Sequence, residues 1–92
     1  MNEKLTRRQA DVLLTMAQGG NYESLGMGTT TWWHHVQGLK DTLGAERTGG
    51  LVAQGFAQHY LAVEKNGEIR INKDLVDYHR NRKWKYGVRE EG

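Results

Sequence analysis

Apolar positions along TTTWWHHVQGLKDTLGA, residues 29–45, recur at helical spacing. Trp32, Val36, Leu39 and Leu43 stand at i, i+4, i+7 and i+11, so at about 100° per residue they fall in one narrow stripe. Thr30, His34, Gln37 and Asp41 project away from it, and Trp33 lies on the flank. Gly44 supplies the residue that ends the helix in a left-handed conformation. The same pattern predicts a helix over residues 6–18, with Thr6 as N-cap, Gln9 completing a capping box, Leu5 stapled onto the first turn, and Val12, Leu13, Met16 and Ala17 as its buried stripe. Gly19 and Gly20 stop it. Leu14 falls outside that stripe and either widens it or stays at the surface.

Only Asn21, Tyr22, Glu23, Ser24 and Leu25 separate Gly20 from Gly26, which is room for a short helix or a 3₁₀ piece with Tyr22 and Leu25 inward. A fourth helix is expected from about Thr48 to Gln58 or beyond, with Leu51, Val52, Gly55, Phe56 and His59 on one side. Gly49, Gly50 and Gly55 weaken this helix and permit close approach of another, so this side is the expected homodimer interface. Residues 60–72, YLAVEKNGEIRIN, change period and predict a β-hairpin. A two-residue Asn66-Gly67 loop would split the apolar set between two faces. A three-residue loop, Lys65-Asn66-Gly67, pairs Val63 with Ile69 and Leu61 with Ile71 and keeps all four on one face. The rival arrangement continues the fourth helix through Val63. Asn72 is placed to cap a last helix from Lys73 to about Arg82, with Leu75, Val76 and His79 inward and Tyr78 beside them.

Ninety-two residues make one domain, 1–92, with a helical body (1–61), a hairpin (62–72) and a C-terminal helix and basic tail (73–92). No apolar run reaches membrane-spanning length, and MNEKLTRRQ leads directly into an amphipathic segment rather than a signal peptide, so a cytoplasmic protein is expected. Cysteine is absent, which removes disulfides, thiolate metal sites and cysteine nucleophiles together. The formal net charge is +2, and its distribution matters more than its sum. Basic and acidic side chains balance over residues 1–61 and again over 62–72, so the whole excess lies in residues 73–92. The helical body alone is therefore a poor nonspecific binder of nucleic acid.

These residues resemble the LuxR/FixJ-type helix-turn-helix, the four-helix DNA-binding domain of many bacterial response regulators. The opening Leu5-Thr6-Arg7-Arg8-Gln9 with Val12, Leu13, Met16, Ala17 and Gly19 follows that family's first helix. Thr31, His35, Leu39 and Leu43-Gly44-Ala45 match its third, and Arg47-Thr48 followed by Leu51 matches the start of its fourth. The resemblance covers roughly residues 5–61. It implies a mainly α fold, a LuxR-like helix-turn-helix four-helix core with the hairpin and C-terminal helix added. It also implies a recognition helix in the major groove and dimerisation through the fourth helix. Three features depart from the family. The scaffold helix is about three residues short, Trp33 stands where lysine or arginine is usual, and residues 62–92 have no counterpart.

The residues expected to read double-stranded DNA are Thr29, Thr30, Trp33, His34 and Gln37, with Lys40 on the same helix. Thr30 and His34 can donate to phosphates or base edges, Gln37 can pair bidentately with adenine, and Trp33 can meet a thymine methyl. The structural alternative is a solvated face with Trp33 filling a groove against Tyr22 or the hairpin. Arg80, Arg82, Lys83 and Lys85 alternate with Trp84 and Tyr86, a pattern suited to tracking a phosphate backbone, although basic termini are commonly solvated tails. Trp32 is expected in the core. His35 is expected to be half-buried and satisfied, and adjacent histidines on a helix diverge too far to chelate zinc.

No cofactor, metal or catalytic constellation is expected, because no phosphate-cradling glycine motif, Ser/His/Asp arrangement or carboxylate pair is present. The expected function is sequence-selective DNA binding in transcription regulation, by a small stand-alone homodimer. The alternative partner is another regulatory protein or the transcription machinery, met through Trp33; a structural adaptor is a third option.

Overall fold

The computed structural model describes residues 4–77. The remainder of the expected last helix, with Tyr78 and His79, and the tail residues Arg80, Arg82, Lys83 and Lys85 lie outside the described residues. Within them the chain is mainly helical, with two small two-stranded sheets. A short strand, β1 (Leu5–Thr6), leads into α1 (Arg7–Ala17). Thr6 caps that helix in both directions of a capping box: its Oγ1 accepts from the Gln9 amide at 3.1 Å, and Gln9 Oε1 accepts from the Thr6 amide at 3.0 Å. Leu14 widens the buried face, packing half-buried against the core.

The short connection is a 3₁₀ turn, Tyr22–Leu25, capped by Asn21, whose Oδ1 accepts from the Glu23 amide at 3.0 Å. Tyr22 and Leu25 pack against the core from its edge. The long helix α2 then runs Thr29–Leu43 and closes on Gly44 at φ 70°. A 3₁₀ turn, Thr48–Gly50, runs directly into α3 (Leu51–Ala57), and together they cover nearly the span expected for the fourth helix. Gln58 ties α3 to α2 by donating from Nε2 to the Leu43 carbonyl at 2.7 Å, which satisfies one of the open carbonyls at the end of α2.

The three helices enclose one core in which Val12, Leu13, Val36, Leu39 and Leu51 are fully buried, with Trp32 and Leu43 beside them. Gly55 lets α3 approach this core closely. A Cβ there would stand 2.8 Å from Leu61 Cδ1 and 3.3 Å from Leu13 Cδ2. The glycine expected to admit a second copy instead admits α1 and the hairpin of the same chain. Gly55→Val is accordingly expected to lower stability by about 1–2 kcal/mol through overpacking. In urea unfolding the loss should be the same at every protein concentration; a loss that vanishes on dilution would assign Gly55 to an interface between copies.

Beyond α3 the chain reverses through His59, the one described non-glycine residue with positive φ, at 68°. The His59 amide donates to the Phe56 carbonyl at 3.1 Å and the Tyr60 amide to the Gly55 carbonyl at 2.8 Å, the paired bonds that close a helix around a left-handed residue. Asn72 Nδ2 donates to the His59 carbonyl at 3.0 Å and holds the corner from outside. A side chain in this conformation is costly, so His59→Gly is expected to raise stability by about 0.5–1 kcal/mol, read as a higher urea midpoint. An unchanged or lower midpoint would mean that the imidazole makes a contact worth more than the backbone cost.

Strands β2 (Leu61–Val63) and β3 (Ile69–Ile71) form the antiparallel hairpin in the predicted register, Leu61 opposite Ile71 and Val63 opposite Ile69, with Gly67 at φ 88°. Arg70 pairs with Glu64 on its polar face.

The expected last helix is corrected over its described part. Asn72 does cap, accepting from the Asp74 amide at 3.1 Å, but the turn it starts is a single 3₁₀ turn, Lys73–Leu75. The chain then extends as β4 (Val76–Asp77), which pairs in parallel with β1, Leu5 opposite Val76 and Thr6 opposite Asp77. Burial explains the outcome: Leu5 and Val76 are 0% and 4% exposed, and strand pairing lets each cover the other while their backbone groups bond. The N-terminal leucine is thus clasped by β4.

Candidate nucleic-acid interface

The surface of interest is the outward side of α2. The helix is about 22 Å long at 1.5 Å per residue, and Trp32, His35, Val36, Leu39 and Leu43 bury its inner stripe. Its seat on α1 is close. Gln9, already engaged in the α1 cap, lies over Gly38, where a Cβ would come within 2.5 Å of its Nε2. One glutamine therefore joins the start of α1 to the middle of α2.

Away from that seat, Thr29, Thr30, Trp33, His34 and Gln37 are all exposed, as are Thr31 and Asp41. Thr30, His34, Gln37 and Asp41 lie within about 60° of one another around the axis, with Trp33 about 40° to one side. Trp33 is 45% exposed, so nearly half of its surface is open to solvent. The first turn of α2 carries no acidic residue, and Gly28 makes no side-chain cap, leaving the amides of that turn to other acceptors.

The electrostatics are set at the margins. Lys40, half-buried in the last turn of α2, borders the face on the side of Trp33. On the neighbouring helix stands Arg8 of α1, a residue that sequence reasoning passed over as part of a helix start. Its guanidinium lies near enough to the His35 imidazole to disfavour protonation there, and it ion-pairs with Asp11 at 3.8 Å. Burial is the larger influence on His35: at 3% exposure its pKa falls to about 4, with Arg8 and then His34 adding to the shift. His35 is thus a neutral core residue at physiological pH. Asp11 is shifted the other way, raised by partial burial against the opposing pull of Arg8 and Arg7. A clue to Arg8 was present in its place two residues after Thr6, which sets it on the first turn of a helix that α2 crosses.

The α3 set divides. Leu51 and Gly55 point into the core, Val52 and Phe56 are half-buried, and His59 is exposed at the reversal. An open groove of about 460 Å³ lies beside the hairpin, lined by His59, Leu61, Arg70, Asn72 and Lys73 among others, and no residue of α2 contributes to it. No group of three His, Asp or Glu side chains among the described residues is arranged to hold a metal. Nor is any described helix long and apolar enough to cross a membrane. Comparison with protein-family models, curated proteins and solved structures gives no match to this chain.

Proposed function

We propose that the protein is a sequence-selective DNA-binding transcription regulator of LuxR-like arrangement, acting in the cytoplasm as a homodimer. The observation that carries this reading is the outward face of α2, whose hydrogen-bonding side chains are exposed together while its opposite stripe is locked into the core. A helix in the major groove meets base edges along its centre line and phosphates on either side. Here Thr30, His34 and Gln37 occupy the centre line, and Lys40 stands at one margin.

The 3₁₀ turn of Tyr22–Leu25 takes the place of a scaffold helix, and α3 offers Val52, Phe56 and His59 to a second copy. Two α2 helices would then enter successive major grooves roughly 34 Å apart. Because charges balance over residues 1–61, the basic segment with Arg80, Arg82, Lys83 and Lys85 supplies further phosphate contacts.

The test is binding of the full chain to genomic DNA fragments over a salt series. A regulator of this kind enriches specific fragments and loses affinity with salt at a log–log slope near −0.9 for each phosphate neutralised. Absence of binding even at low salt would reject the proposal. It would also favour the second reading, in which the exposed Trp33 anchors another regulatory protein.

A further inference from the structure

We infer that the half-site this protein reads is centred on A·T base pairs, with Gln37 selecting adenine and Trp33 the thymine methyl. The inference rests on the DNA-binding reading and adds to it the chemical identity of the target. Four side chains of the N-terminal two-thirds of α2 matter: Thr30, Trp33, His34 and Gln37, all exposed. That part of a recognition helix lies deepest in the groove, whereas Asp41 and Lys40 sit toward the end that leaves it.

Guanine is read chiefly by two parallel donors reaching O6 and N7 from arginine or lysine. No arginine or lysine occurs in residues 29–39, and the only cation of α2 is Lys40, half-buried at the margin. His34 offers one ring donor at a time in a given direction, short of that fork. Gln37 carries a carbonyl and an amide side by side, which match the N6 donor and N7 acceptor of adenine. Trp33 stands four residues before Gln37, about 40° from it around the axis and about 6 Å along it. That rise spans close to two base-pair steps of about 3.4 Å. An exposed indole there has no charge to offer a phosphate, but it presents an apolar edge, and the apolar group on the major-groove floor is the thymine C5 methyl. Thr30, one turn earlier, adds a hydroxyl and a methyl compatible with a neighbouring A·T pair.

The test selects duplexes from a random library with the full chain and then modifies the selected site. A·T pairs are expected at the centre of each half-site. Replacing the contacted adenine by 7-deazaadenine, which removes N7, should weaken binding about tenfold. Replacing thymine by deoxyuridine, which removes only the methyl, should weaken it about threefold. Each loss should disappear in the matching variant, Gln37→Ala for the purine and Trp33→Ala for the methyl. The modified duplexes are read first with unaltered protein, so the base preference is tested even where a variant fails to fold. Half-sites centred on G·C, or indifference to both modified bases, would overturn the inference and leave DNA binding standing. Failure to enrich any duplex would overturn both.

Discussion

Val76→Asp is expected to lower the stability of the full chain by about 3–5 kcal/mol, the cost of placing an uncompensated charge in a dry site. Val76 is 4% exposed and sits opposite Leu5, which is fully buried, so the aspartate would face the N-terminal leucine rather than water. Against a total of about 5–15 kcal/mol for a domain of this size, most of the molecule's margin would go. Ending the chain at Asn72 should have a similar effect for a different reason. It removes Val76 and uncovers Leu5, each worth about 1.5–3 kcal/mol of burial. Thermal melting of both variants beside the parent is the check, and unchanged melting would mean that the β1–β4 clasp contributes nothing to the fold.

Acidification should produce the second large effect, and His35 carries it. Its pKa is 6.5 when unperturbed and about 4 in the fold, so between these values the unfolded chain binds a proton that the folded chain refuses. Stability contributed by burying the neutral imidazole is complete above pH 6.5 and is lost as pH falls toward 4. The loss amounts to about 2–3 kcal/mol. Asp11 acts in the opposite sense: its raised pKa favours the fold on the acid side of the carboxylate range and withdraws that support as pH rises through it. Its side chain is 42% exposed, so its influence is the smaller. Urea midpoints measured from pH 7 down to pH 4 should fall for the parent protein. The fall should be largely removed in His35→Gln, whatever that change does to absolute stability. A flat profile in the parent would mean that His35 can take up its proton without unfolding.

What was legible in the sequence was local. The Thr6/Gln9 capping box spans three residues, the α2 stripe repeats four times, and the hairpin register follows from keeping Leu61, Val63, Ile69 and Ile71 on one face; each is written in neighbouring positions. The clasp was not legible because its two strands are two residues each and about seventy residues apart, too short for any period to register. The local signals around Asn72 even pointed elsewhere. Asn72 is a sound cap and Leu75, Val76 and His79 have helical spacing, but the demand of Leu5 for cover decided the conformation of Val76. Tertiary burial outweighed propensity there. Gly55 misled in the same way: a small residue on a helix announces that something comes close, and only the packed structure says that the neighbours are Leu13 and Leu61.

The candidate site was legible in its centre and obscure at its margins. Spacing alone placed Thr30, His34 and Gln37 outside, because the buried stripe of α2 leaves no other side for them. Arg8 belongs to a different helix, and its position near His35 depends on how α1 and α2 pack, where Gln9 lies over Gly38.

The proposed DNA binding depends on that outward face of α2. The most direct measurement combines the changes Thr30→Ala, His34→Ala and Gln37→Ala in one chain and follows both thermal melting and binding to a selected DNA fragment. Stability within about 1.5 kcal/mol of the parent, about 0.5 for each change, with binding lost at least tenfold, is the predicted result, since exposed positions contribute little to stability and base contacts contribute much to affinity. A folded variant that binds the fragment as tightly as the parent would contradict it.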